Sequence, residues 1–197
     1  MPRRTAPRWW ALCATALVWA TPASAELDLD LYAALLSEYT QPTDATVGTR
    51  IDYRGLGTEP RWPRLVASLE ASRPSALATR DERLAFWINA YNILAIDTVV
   101  GAYPVESIRD VGAGWIRLPL LAPVWKREAA RIEGEPVSLD GIEHATLRPM
   151  GEPRIHGAIV CASTSCPSLR REPYRAAHLD AQLDDAWRRW MASPTKG

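Results

Sequence analysis

L-A-F-W-I-N-A-Y-N-I-L-A-I-D-T-V-V-G-A-Y-P, residues 84–104, decides how the rest of the chain must fold. At about a hundred degrees per residue, Leu84, Phe86, Trp87, Ile88, Tyr91, Ile93, Leu94 and Ile96 cover almost the whole circumference of a helix. A helix that is apolar on every side is a central one, with other elements packed around it. Its start is marked by Thr79-Arg80-Asp81-Glu82, which fits a capping box, and its end by Gly101 and Pro104. Asn89 and Asn92 are the exceptions on its surface. They lie three apart on roughly one side, and a buried amide must find partners, either in neighbouring backbone or in a site.

Working outward toward the N-terminus, Pro60 to Ser72 reads as a helix with Trp62, Leu65, Val66 and Leu69 inward, stopped by Pro74. Gln41 to Gly57 is rich in Thr, Gly and Asp around R-I-D-Y, which suits an ordered surface loop with at most one small strand. Asp28 to Tyr39 carries Leu31, Tyr32, Leu35, Leu36 and Tyr39 at helical spacing. Before it, Arg3, Arg4 and Arg8 precede the apolar run Trp9 to Ala20 and the small-residue site Ala23-Ser24-Ala25, the layout of a secretory signal peptide. The run is too short to span a bilayer comfortably. Leu12-Cys13 is a poor lipidation site, because a bulky Leu precedes the Cys. We expect residues 1–25 to be cleaved, a periplasmic or secreted single domain over 26–197, and no integral membrane segment after cleavage.

Without Arg3, Arg4 and Arg8, the 23 basic residues fall to 20 against 23 acidic ones. A mildly acidic surface gives no electrostatic reason to expect nucleic acid as a partner. Cys13 leaves with the signal, so Cys161 and Cys166 remain as an even pair in an oxidising compartment, where a disulfide is the default.

Toward the C-terminus, Tyr103 to Val124 suits a long loop packed by its own apolar side chains, among them Trp115, Leu118, Leu120 and Leu121. Arg131 to Val137 reads as a hairpin about Glu133-Gly134. Ser138 caps a short helix, L-D-G-I-E-H-A-T-L-R, in which Asp140 and His144, and His144 and Arg148, are four apart and can meet on one face. R-I-H-G-A-I-V-C-A-S-T-S-C-P, residues 154–167, reads as a buried strand holding His156, followed by a Ser/Thr-rich loop between Cys161 and Cys166. Tyr174 to Met191, started by Pro173, is an amphipathic helix with Leu179, Leu183, Trp187 and Trp190 inward and His178 at its rim. The sum is an α+β domain: several helices, one of them central and buried, around a small β-sheet that includes residues 154–160.

W-I-N-A-Y-N, Y-P-V-E-S-I-R-D, L-D-G-I-E-H-A-T-L-R and the stretch 154–167, in that order, resemble the bacterial family named domain of unknown function 547. The resemblance runs from about R-I-D-Y to Trp190 and implies an exported or envelope-associated single domain, without supplying an activity. Carried over residue by residue, the family's recurrent polar positions fall on Asn89, Asn92, Glu143, His144, His156, Cys161 and Cys166. Comparable members continue past the last helix, whereas this chain stops at Lys196-Gly197, so the comparison implies a C-terminally shortened member.

Three chemistries can use these residues. In the first, Cys166 or Cys161 is a thiol nucleophile, His144 or His156 its base, and Glu143 or an asparagine such as Asn89 the orienter, in a hydrolase or acyltransferase with the logic of a cysteine peptidase. Cys166 is favoured here because Pro167 can open a helical turn whose free N–H groups would favour a thiolate. On a strand, His156 and Cys161 would point to opposite faces about 16 Å apart, which argues against that pairing. In the second, Cys161–Cys166 is a structural disulfide in a non-catalytic periplasmic binding domain whose Trp115 loop lines a groove. In the third, His and Cys bind a metal, but C-x4-C and the spacing of His144 and His156 match no usual zinc pattern. We therefore expect no metal and no cofactor, and an unidentified small molecule or peptide as partner.

Overall fold

Thr79 opens the central helix as its sequence predicts. In a computed structural model, which describes residues 26–111, 123–161, 166–193 and 196, the Thr79 hydroxyl accepts from the Glu82 N–H and the Glu82 carboxylate accepts from the Thr79 N–H. The helix α4 that follows, Arg80–Val100, is buried on all sides from Leu84 to Ile96 apart from the half-buried Trp87. Around it pack α1 (Leu29–Tyr39), α2 (Tyr53–Thr58), α3 (Arg61–Ala71) and α7 (Leu179–Met191), whose buried faces join one continuous core with α4. Asp28 caps α1 and Asp52 caps α2, each carboxylate accepting from a backbone N–H three residues on. No helix of the described residues is long and apolar enough to cross a membrane.

The strands are short. Thr40–Pro42 (β1) and Thr49–Ile51 (β2) form one antiparallel hairpin, with Thr40 opposite Ile51. Residues 41–57, expected as a loop with at most one strand, therefore hold a hairpin strand pair and the short helix α2. Single three-residue strands are too short to show a period of two, so composition alone hides them. Ala130–Ile132 (β3) and Glu135–Val137 (β4) form the expected second hairpin. Glu133 and Gly134 both take positive φ at its tip, the backbone a two-residue turn of this hand requires. The fold is α+β, with its β-structure confined to these two hairpins among the described residues.

Residues 154–160 are not part of a sheet. Ile155–Ala158 is a single helical turn, α6, and the chain becomes extended only at Ile159. Two contacts from elsewhere in the chain account for this. Gly157 lies against α7 so closely that a Cβ on it would come within 3.0 Å of the Trp187 Cα, fixing the turn by backbone-to-backbone packing. Beyond it, Asn92 donates to the Ala158 carbonyl at 3.0 Å and accepts from the Val160 N–H at 2.9 Å. One amide side chain thus meets the backbone needs that a partner strand would otherwise meet.

The segment 139–150 also differs from an ordinary helix. Leu139–Gly141 (α5) is α-helical, Ile142–Leu147 widens into a π-helical turn, and Arg148–Met150 tightens into a 3-10 turn closed by Gly151 at φ 71°. Within the long loop, a 3-10 turn at Ile108–Asp110 follows the cis Tyr103–Pro104 bond. Trp115, Leu118, Leu120 and Leu121, expected to line a groove, lie outside the described residues, as does the expected signal peptide.

Candidate functional site

The π-helical turn determines which polar side chains meet. With the helix widened, Arg148 reaches back five residues and its guanidinium meets the Glu143 carboxylate at 2.9 Å, instead of pairing with His144. Across from this turn, α6 presents His156, whose Nδ1 stands 4.0 Å from the same Glu143 oxygen. Glu143 is the more enclosed partner, its side chain 20% exposed against 37% for His156. Behind it sits the buried Tyr91 of α4, whose hydroxyl is held well above the ordinary phenol range by burial first and then by the charges of Glu143 and Asp140. The core thus closes one side of the carboxylate and leaves the imidazole at the surface.

His144 turns away from this group. Its Nδ1 lies 3.1 Å from the Asp140 carbonyl oxygen and 3.9 Å from the Asp140 carboxylate, and half of the side chain is exposed. Of the two histidines expected as bases, His156 is the one set against Glu143. His178 is an exposed residue at the start of α7, as its sequence position implies.

Cys161 and Cys166 are bonded to each other as a disulfide, with Cα atoms 6.1 Å apart, inside the range such a bridge requires. Both are half-buried. No helical turn follows Pro167, so the helix-terminus reason for preferring Cys166 as nucleophile does not hold. The strand geometry that set His156 and Cys161 on opposite faces does not hold either, because His156 lies on α6 and Cys161 beyond it.

The two asparagines act as clamps. Asn92 holds residues 158–160, the link between His156 and Cys161, while Asn89 donates to the Tyr174 carbonyl at 2.7 Å and accepts from the Tyr174 N–H at 2.9 Å. Both are almost fully buried, at 1% and 2% exposure, and each uses the two ends of its amide on one stretch of backbone. Asn89, named as a possible orienter, is thereby committed to Tyr174.

With this geometry in place, comparison with known families is informative. A family model described as protein of unknown function, DUF547, matches residues 74–191. The chain belongs to the DUF547 family. The match takes in α4, the π-helical turn, α6, both cysteines and α7, so every residue of the group just described lies in the DUF547 region. No curated protein and no solved structure matches the chain.

Two features of this DUF547 domain were not read from its sequence. One is the pairing of Glu143 with Arg148, whose five-residue spacing signals nothing unless the helix is known to widen. The other is a cleft of about 430 Å³ between the start of α1, the Pro74–Ala76 turn, the first turns of α4 and residues 174–177. Leu27, Leu29, Leu77 and Phe86 make it largely apolar, with Arg73 and Arg175 among its polar lining. Among the described residues no group of three or more His, Cys, Asp or Glu side chains is placed to hold a metal ion.

Proposed function

We propose that the protein is an exported thiol-dependent hydrolase or acyltransferase, kept latent by its Cys161–Cys166 disulfide, with His156 as base and Glu143 as orienter. The observation that carries this reading is the Glu143–His156 pair, whose His156 is set on α6, the turn that leads through the backbone clamped by Asn92 into Cys161. A disulfide is no nucleophile, so the active form is the reduced one. An exported dithiol would supply the electrons, becoming a disulfide itself as Cys161 and Cys166 become thiols. The imidazole then takes the proton of one thiol. The thiolate attacks the carbonyl carbon of an acyl donor, a small molecule or a peptide, and the leaving group departs with the proton held by His156. Water or a second acceptor releases the thioester. Glu143 orients the ring and stabilises its charged form, as a carboxylate beside an imidazole does.

A second reading is favoured by the sulfur–sulfur bond itself. In it the domain binds rather than reacts, Cys161–Cys166 is a structural bridge, and the apolar cleft beside Phe86 is where a small molecule or peptide docks.

Iodoacetamide separates the two. In the native, unreduced protein neither cysteine should react, and the mass should be lower than the reduced form by two hydrogens. After mild reduction, the enzyme reading expects one cysteine to be alkylated about tenfold faster than an ordinary thiol, with that advantage lost in His156→Ala. If both cysteines of the reduced, folded protein react at the ordinary rate, the enzyme reading fails and the binding domain stands.

A further inference from the structure

On the side of the domain where the β1–β2 hairpin tip meets the chain after Cys166, a lysine and a serine face each other. Lys196 Nζ lies 2.9 Å from Ser168 Oγ and 3.1 Å from the Val47 carbonyl oxygen. Lys196 is 8% exposed, and among the described residues no carboxylate pairs with it. An ammonium group has three donors and no acceptor, a neutral amine two donors and one lone pair, so these two contacts can be made by either form. As the ammonium, Lys196 donates to both Val47 and Ser168; as the neutral amine it donates one N–H to Val47 and accepts the Ser168 O–H through its lone pair. With no carboxylate beside it among the described residues, burial holds this amine below the ordinary lysine range and so favours the form whose lone pair faces the Ser168 hydroxyl.

The serine is held in place from the other side. Gly48, at φ +72°, approaches so closely that a Cβ there would come 2.1 Å from Ser168 Oγ, so only glycine lets the hydroxyl sit where it does. The neighbouring Thr49 hydroxyl donates to the Leu169 carbonyl at 2.7 Å, fixing the backbone just beyond Ser168. Ser168 itself is half-buried, not enclosed.

We propose that Ser168 is a second nucleophile, with Lys196 as its base, and that the pair accepts acyl groups from ester-type donors. The amine of Lys196 takes the Oγ proton, and Oγ bonds to the carbonyl carbon of the donor. The ester's C–O bond then breaks, and the departing alkoxide leaves as an alcohol with the proton that Lys196 took. Water, deprotonated by the same amine, cleaves the acyl-serine and restores Ser168. The pair uses neither the cysteines nor His156, so its failure and that of the thiol site are separately visible.

The test is to incubate the folded, full-length protein with an alkyl fluorophosphonate, which replaces fluoride by the oxygen of an activated serine, and to map the adduct by peptide mass spectrometry. The expected result is a phosphonyl group on Ser168, absent from Ser168→Ala and formed about a hundredfold more slowly in Lys196→Met. Should Lys196→Met fail to fold, Lys196→Arg decides. It still places N–H donors beside Val47 and Ser168 but has no lone pair to take the Oγ proton, so its labelling must fall similarly. No adduct on Ser168 of the folded wild type, or a lysine variant labelled as fast as the wild type, overturns the proposal.

Discussion

Asn92 and Glu143 both hold the chain around His156, and they do so in opposite ways. Asn92 is buried in the central helix and gives both ends of its amide to the backbone at 158–160, so the buried Ala158 carbonyl has no water to fall back on and the Val160 N–H is only partly open to it. Glu143 stands at the margin, paired with an Arg148 whose side chain is 49% exposed and facing a His156 that is 37% exposed. A buried hydrogen bond is costly to leave unmade, whereas an exposed ion pair is nearly replaceable by water. Position here is held by uncharged groups inside the domain, while the ionisable groups that could do chemistry lie at its edge and add little to stability.

The largest effect should come from the amide. Asn92→Ala leaves the Ala158 carbonyl and the Val160 N–H without their partner and should cost about 3 kcal/mol, read from the urea unfolding midpoint. A loss below about 1 kcal/mol would put the clamp on the same footing as the rim and end the contrast.

Acid should act next, and on the margin as a group. The Arg61 guanidinium holds the Glu59 carboxyl well below its ordinary value of 4.5, and Arg154 and Arg170 lower Glu152 and Glu172 in the same way. A carboxylate depressed in the folded state contributes stability that is present above its unfolded pKa and lost as the pH falls through the folded one. The thermal midpoint should therefore hold as the pH falls toward 5 and drop progressively below about pH 4. A midpoint unchanged down to about pH 3 would show that these pairs contribute nothing even together.

The smallest effect should be that of Glu143→Gln. Removing its charge should shift stability by no more than about 0.5 kcal/mol in the same urea measurement. A loss near that of Asn92→Ala would make Glu143 part of the scaffold and weaken its reading as an orienter.

Much of this was legible in the sequence, for identifiable reasons. The capping box at Thr79, the apolar circumference of α4 and the hairpin about Glu133-Gly134 depend on neighbours within a few residues, so spacing alone reports them. The family-like motifs likewise marked the residues gathered near His156. The turn at Ile155–Ala158 was not legible. Its apolar, β-branched residues suit a strand, and what makes it helical is the backbone of Trp187 and the amide of Asn92, far away in sequence. For the same reason, neither the pairing of Glu143 with Arg148 and His156 nor the meeting of Ser168 with Lys196 could be read along the chain.

Local order, then, was determined by the sequence where its signals are local: the start of the central helix at Thr79, the apolar circumference that makes it central, and the hairpin about Glu133-Gly134. Tertiary structure alone decided that residues 155–158 form a turn, that His156 rather than His144 faces Glu143, and that the asparagines serve backbone. The physical reason is reach. A capping hydroxyl or an apolar stripe acts within one or two helical turns, but a buried polar group takes whichever partner the packed core brings to it, however distant in sequence.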